Sequence, residues 1–281
     1  MTTVLDIQRF KDEGRRFAVL TAYDFLSARI LDEAGIPILL VGDSLGMVML
    51  GHPTTLPVTL DDMLHHARAV ARGSRQALLV GDLPFMSYQV STEQAIASAG
   101  RFIQEAGMHA VKLEGGGPVI EITRRLAEIG IPVMGHLGLT PQSVHTMGGF
   151  KVQGKTDAQA ARIMSDAKAL EQAGAFSVVL EGMPSKLANT ITQTLRIPTI
   201  GIGAGPGTDG QVLVLHDMLG LTTGKAPKFV KRYANLAEDI ARAATAYSDD
   251  VRTGTFPGPE HEYSANGSAP AKDREEVRYG G

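Results

Sequence analysis

Acidic residues recur at one kind of position in this chain, the end of a short aliphatic run. They are Asp24, Asp43 (followed by Ser44), Asp82, Glu114 and Glu181, and His136 ends a similar run. Carboxylates brought together raise each other's pKa unless a cation sits among them. Oxygen ligands in a chain with no cysteine select a hard ion, magnesium first. Lys112 and Glu114 are two residues apart and so share a strand face, where they form either a surface ion pair or an anion-binding ammonium beside a metal ligand. Asp43 and Asp82 are each the residue type that caps a helix after a strand, but the helix signals begin well downstream of both. Glu181 has no basic residue close before it and suits proton transfer. His136 suits a hydrogen bond to a substrate.

Elements that could bring these residues together follow from the pattern of apolar runs. Strands are predicted at 16–22, 38–42, 77–81, 110–113, 133–136, 177–180, 199–202 and 212–215. Most are continuously apolar, as strands covered on both faces are. Helices are predicted at 26–34, 118–129, 158–173, 185–195 and 227–247, with two more starting after Thr59 and Ser91, whose spacing to Asp62 and Gln94 suits N-caps. Three helix-to-strand junctions repeat one phrase: Ala34-Gly-Ile-Pro37, Ile129-Gly-Ile-Pro132 and Leu195-Arg-Ile-Pro198. Each proline forbids the helix to continue. Eight alternating units predict an α/β fold, a (β/α)8 TIM barrel over residues 1–256, whose strand ends would all open on one mouth. An extra N-terminal helix at 4–12 would plug the opposite mouth, and a disordered polar tail is expected at 257–281. One junction fits poorly: strands seven and eight stand only about ten residues apart, short for a crossover helix.

Composition removes several function classes. The 281 residues are 43% hydrophobic, and 27 basic against 30 acidic residues leave no basic stripe for nucleic acid. The absence of cysteine excludes disulfides, thiolate catalysis and thiolate metal sites. The longest apolar runs, 36–41 and 176–180, are too short to span a membrane. The charged opening residues do not read as a secretory leader, so a cytoplasmic protein is expected. Gly205-x-Gly207-x-x-Gly210 has dinucleotide spacing but precedes a strand instead of opening a helix, so 201–207 reads as backbone that turns tightly or approaches a ligand. His65 and His66 read as surface residues, while His145 and His216 have no metal spacing.

Taken in order, Thr21-Ala-Tyr-Asp24, Leu40-Val-Gly-Asp-Ser-Leu-Gly46, Gly81-Asp-Leu-Pro-Phe85, Val111-Lys-Leu-Glu-Gly-Gly116, Gly135-His-Leu-Gly-Leu-Thr-Pro-Gln-Ser143, Gly148-Gly-Phe-Lys-Val-Gln-Gly154 and Ile200-Gly-Ile-Gly-Ala-Gly205 closely resemble the ketopantoate hydroxymethyltransferase family. The resemblance runs from about residue 4 to about residue 263. It implies transfer of a hydroxymethyl group from 5,10-methylenetetrahydrofolate to 3-methyl-2-oxobutanoate, giving 2-dehydropantoate for pantothenate biosynthesis, through a magnesium-stabilised enolate. It further implies Mg2+ ligands at Asp43, Asp82 and Glu114, an oxo acid site of Asp43, Ser44, Asp82 and Lys112, and a proton acceptor at Glu181. A homodecamer is also implied, with no nucleic-acid or membrane partner. Two other readings share this layout: another metal–enolate enzyme, such as a 2-oxo acid aldolase or a member of the phosphoenolpyruvate mutase and isocitrate lyase group, and an idle barrel that binds a carboxylate metabolite.

Overall fold

Eight short parallel strands pair in chain order and close on themselves: β1 (Phe17–Thr21), β2 (Ile38–Val41), β3 (Leu78–Asp82), β4 (Ala110–Glu114), β5 (Val133–Gly138), β6 (Ser177–Glu181), β7 (Thr199–Ile202) and β8 (Gly210–Leu213). The computed structural model describes residues 1–263 except Thr223 and Lys225. The helices are α1 (Val4–Asp12), α2 (Phe25–Glu33), α3 (Leu45–Val48), α4 (Leu60–Gly73), α5 (Thr92–Gln104), α6 (Pro118–Glu128), α7 (Val144–Met147), α8 (Asp157–Gln172), α9 (Ser185–Thr194), α10 (Leu215–Met218) and α11 (Leu236–Thr253). Residues 1–234 form one compact unit that contains the whole barrel, and the described residues from 235 onward belong to a second. In the second unit α11 ends at Gly254, and Tyr247, Phe256 and His261 form a run of ring contacts. Of the tail expected at 257–281, residues 264–281 lie outside the described residues.

Strand side chains alternate between two surroundings. Ile38, Leu40, Leu78, Val80, Ala110, Met134, Val179, Ile200 and Val212 form one buried cluster with Ile7 and Phe10 of α1. The expected plug is therefore present, and α1 closes the N-terminal end of the barrel. Lys11 secures it, reaching Asp209 Oδ2 at 2.9 Å and the Thr192 carbonyl at 3.0 Å. The outward-facing strand residues pack under the helices in two further clusters, with Met63, Leu64, Ala67 and Val70 of α4 in the larger. By the two-residue period, the inner positions one step beyond the apolar cluster are Asp82, Lys112, His136 and Glu181, with Glu114 one step further along β4. Register places Asp82 opposite Lys112, Glu114 opposite His136 and Gly138 opposite Glu181.

Two expectations are corrected. β8 begins at Gly210, two residues before the predicted start at 212, and no helix separates it from β7. The seven residues 203–209 reach about 23 Å when extended, while the return along a four-residue strand needs about 13 Å, so plain chain suffices. Gly210 allows the shift, because a Cβ there would stand 2.5 Å from the Phe17 ring. The helix predicted at 227–247 instead runs from Leu236 to Thr253. Residues 227–230 form a turn closed by Val230 N–H donating to the Pro227 carbonyl, and Tyr233 N–H donates to Met218. The Phe229 ring covers Gly203 so closely that a Cβ there would lie 2.8 Å from it. These contacts override the helical spacing.

Asp32 on α2 is buried and accepts from Ser74 Oγ at 2.6 Å and from the N–H groups of Arg75, Gln76 and Ala77 at 3.0, 2.9 and 2.8 Å. Burial pushes its carboxyl up, but these donors outweigh burial and hold it below the ordinary 3.8. The segment that feeds β3, and so Asp82, is fixed by this one side chain. Asp32→Ala is expected to cost about 2–4 kcal/mol, since it leaves several donors without their acceptor. Urea unfolding at pH 7 measures the difference, and a loss under about 1 kcal/mol would contradict this role. The folded pKa is depressed, so the stabilisation is complete above the ordinary value and fades as pH falls through the folded one; the gap between wild type and variant must narrow in acid.

Candidate active site

Of the residues singled out in the sequence, all but Asp24 line one cavity of about 820 Å3: Asp43, Ser44, Asp82, Lys112, Glu114, His136 and Glu181. Asp82, Lys112, Glu114, His136 and Glu181 lie within strands, and Asp43 and Ser44 directly follow β2 and Gly42. Gly138 makes one of these placements possible, because its φ is +97° and a Cβ would stand 2.2 Å from the Glu181 carbonyl oxygen. Asp24, by contrast, caps α2, accepting from Ser27 N–H and Oγ at 2.8 and 2.6 Å.

Asp43, Asp82 and Glu114 are buried, and each offers a carboxylate oxygen within 4.8 Å of the others. Lys112 Nζ lies 2.7 Å from Asp82 Oδ1 and 3.7 Å from Glu114 Oε1. His136 Nδ1 lies 3.3 Å from Glu114 Oε1, and its Nε2 faces Glu181 Oε2 at 3.1 Å. Tyr23 OH and Ser44 Oγ are hydrogen-bonded at 2.8 Å. The backbone N–H of Asp43 donates to Asp82 Oδ2 at 3.2 Å, tying the two acids together.

Electrostatics show a cluster short of positive charge. Asp43 is held well above the usual carboxylate range, by burial first and then by the charges of Asp82 and Glu114. Asp82 is raised by burial and Glu114, against the pull of Lys112. Glu114 is lowered: burial opposes this, but His136 and Lys112 outweigh it. Burial works against charge on Lys112, yet the surrounding carboxylates hold its ammonium above the ordinary value. Burial and Lys112 both disfavour the His136 imidazolium, but Glu114 and Glu181 push its pKa up to about 9.

A divalent cation fits this donor set. Glu114 Oε1 and Asp82 Oδ1 are buried without a directed hydrogen bond and are met only by ion-pair contacts. Three converging oxygens of this kind suit a hard ion, which would supply the charge that the raised Asp43 lacks.

Gln142 went unassigned in the sequence, although it lies within one of the motifs noted there. Its side-chain Nε2 donates to Asp43 Oδ2 and to the Leu83 carbonyl, both at 2.9 Å, and its backbone N–H donates to Glu114 Oε2 at 3.0 Å. Tyr88 OH, 2.7 Å from Gln142 Oε1, fixes the amide's orientation. A glutamine after Pro141 carries no local signal of this role, which exists only once three strands have met. Among the histidines, His65 is exposed as expected, whereas His66 is half-buried with Nδ1 2.6 Å from the Tyr23 carbonyl. His145 is exposed on α7, and His216 stacks near Tyr23. The glycine segment turns at Gly203 and Gly205, both with positive φ, and both line the cavity.

If Gln142 orients two of the three carboxylates, Gln142→Leu is expected to weaken Mg2+ binding about tenfold, the usual scale for a residue that holds metal ligands in place. Titration calorimetry gives the affinity, and an unchanged value would remove Gln142 from the site.

A family model described as ketopantoate hydroxymethyltransferase matches residues 1–259. A 3-methyl-2-oxobutanoate hydroxymethyltransferase from Syntrophus aciditrophicus is 61% identical over 257 residues, covering 92% of this chain and 94% of the relative. The enzyme of that name from Chloroflexus aurantiacus is 59% identical over 259 residues, covering 92% of each. Among solved structures, phosphonopyruvate hydrolase in complex with oxalate and Mg2+ aligns with a TM-score of 0.59 at 14% identity, over 94% of this chain and 93% of that one. A 2,3-dimethylmalate lyase of the phosphoenolpyruvate mutase and isocitrate lyase superfamily aligns at 0.59 and 19%, over 94% and 92%. At that identity the structural likeness speaks for the fold alone. The family match across nearly the whole chain, with relatives close to 60% identical, means that this protein belongs to the ketopantoate hydroxymethyltransferase family and is a hydroxymethyltransferase.

Proposed function

We propose that the enzyme moves the one-carbon unit of 5,10-methylenetetrahydrofolate onto C3 of 3-methyl-2-oxobutanoate, giving 2-dehydropantoate, with Glu181 as the base. The observation that carries this reading is the meeting, in one cavity, of three cation-suited carboxylates with Lys112 and the His136–Glu181 pair. Lys112 receives the substrate carboxylate as a counterion. Ser44, held by Tyr23, donates a hydrogen bond to the oxo acid. Mg2+ held by Asp43, Asp82 and Glu114 would supply Lewis-acid stabilisation of the charge that develops on the keto oxygen. Glu181 is the least enclosed of the acids, with 14% of its side chain exposed, and is free on the cavity side to take the C3 proton. His136 fixes the carboxylate from behind. The deprotonated carbon bonds to the one-carbon unit, whose bonds to the two folate nitrogens both break. Water supplies the hydroxyl, and its other proton together with the proton taken by Glu181 goes to those nitrogens, so that tetrahydrofolate leaves.

Proton NMR of the oxo acid in D2O tests the sequence of events. Loss of the C3 proton signal that requires enzyme and Mg2+, then product formation on adding methylenetetrahydrofolate, is expected. Exchange with no folate-dependent product would point to a different electrophile. Absence of any exchange would overturn the base and cation assignments. Glu181→Gln is expected to keep oxo acid and Mg2+ affinity within about threefold and to lower both exchange and turnover by at least about a hundredfold; unchanged exchange would refute it as the base. Asp82→Asn, which touches both the cation cluster and Lys112, is expected to weaken Mg2+ and oxo acid together in calorimetry. If both affinities stayed at the wild-type value, Asp82 would belong to neither site.

A further inference from the structure

The cavity is much larger than a five-carbon oxo acid requires. Its volume of about 820 Å3 falls in the range that holds drug-sized ligands, roughly 300–1,000 Å3, and an oxo acid seated against Lys112 fills only the floor. The charged floor comes from β2 to β6, whereas the loops that follow β5 and β6, the end of β7 and the segment after α10 contribute a wall of a different character. Ile202, Met183, Leu139, Phe150, Val152 and Phe229 line it. Phe150, Val152 and Phe229 are 51%, 46% and 39% exposed at the mouth. Large apolar side chains gathered around a polar floor mark a surface that a ligand covers.

The wall also carries two charges suited to one kind of ligand. Asp217 on α10 lines the cavity, and Thr222 Oγ1 donates to its Oδ1 at 2.7 Å, which fixes the carboxylate's rotamer. Lys228 is exposed beside Phe229 and lines the same cavity. A reduced folate has matching parts: a bicyclic pterin whose N3–H and 2-amino group form a parallel donor edge, an aromatic ring, and a glutamate tail carrying carboxylates. An ionised carboxylate only accepts hydrogen bonds and can take such a donor edge in a bidentate pair.

We infer that this wall seats the folate: the pterin packs on Phe229 and Phe150, its donor edge pairs with Asp217, and the tail leaves past Lys228. The inference rests on the folate-donor reading given above. It sets the one-carbon unit over the floor, on the opposite side of the oxo acid from α1.

Stable 5-formyltetrahydrofolate, titrated calorimetrically into the full-length enzyme, reports the seat directly, and steady-state kinetics report the donor and oxo acid KM values separately. Asp217→Asn keeps an acceptor for Thr222 but turns an amide donor toward the pterin donors, so the folate Kd and donor KM are expected to rise about tenfold. Phe229→Ala is expected to raise both about fivefold, with Phe229→Tyr restoring most of the loss. Oxo acid KM should stay within twofold throughout, a split that general misfolding would not produce. Wild-type folate turnover combined with unchanged folate Kd in both variants would overturn the seat while leaving the folate reading intact. Parallel loss of oxo acid affinity would also overturn it, since the residues would then serve the fold or the floor. A wild-type enzyme that exchanges the C3 proton but makes no product from folate would remove the folate reading, and this inference with it.

Discussion

Three carboxylates are buried together at the top of a barrel whose lower interior is hydrocarbon, and the molecule is organised around making that tolerable. An isolated ionised carboxylate in such a place would neutralise itself. Lys112 offsets part of this cost, since its ammonium lies 2.7 Å from Asp82 and 3.7 Å from Glu114. Compensation is incomplete, and the deficit falls on Asp43, the acid whose pKa is pushed furthest. A site built this way suits a doubly charged hard cation better than a second lysine, because such an ion brings two positive charges to the converging oxygens at a shorter distance than an ammonium's hydrogen bonds allow.

Position follows from the same constraint. Parallel strands in register set Asp82 beside Lys112 and Glu114 beside His136 with no help from loops. Residues on adjacent strands of a closed sheet are held by ladders on both sides, so their side chains start from a rigid frame. Gln142 then joins two acids through two donated hydrogen bonds and holds the Leu83 carbonyl with a third, and Tyr88 and Gln89 both reach its amide oxygen. That network spans β2, β3, β4 and the segment after β5, so it preserves the acid geometry even when the charges around it change.

The barrel was legible because its signals are local. Each strand is a short aliphatic run, each helix has a cap or a stripe, and the acid after the run is visible without knowing which strands are neighbours. The candidate site residues were legible for the same reason: every one of them lies at or within three residues of a strand end. Gln142 was not, because its function lies in contacts to Asp43 and Leu83, which are 99 and 59 residues away. The region after β7 misled for a related reason. Gly210 beside Phe17 and Phe229 over Gly203 are tertiary contacts, and they moved a strand start and dissolved a predicted helix turn against local spacing.

Division of the cavity between two sets of strands has a chemical consequence. β2 to β6 bring charge and hydrogen-bonding groups, while Ile202 of β7, Val212 of β8 and Val214 just beyond it offer none. A proton acceptor must sit where it can reach both the oxo acid and solvent, and Glu181 on β6 stands at that border, in register with Ile202 on one side and Gly138 on the other. Placed one strand earlier, it would be enclosed by the acid cluster and share its charge deficit. Placed one strand later, it would lose His136 and face hydrocarbon. The proposed base thus falls on the strand where the acid cluster of the barrel meets its apolar inner side chains, so that its carboxylate borders both the charged floor and a dry surface.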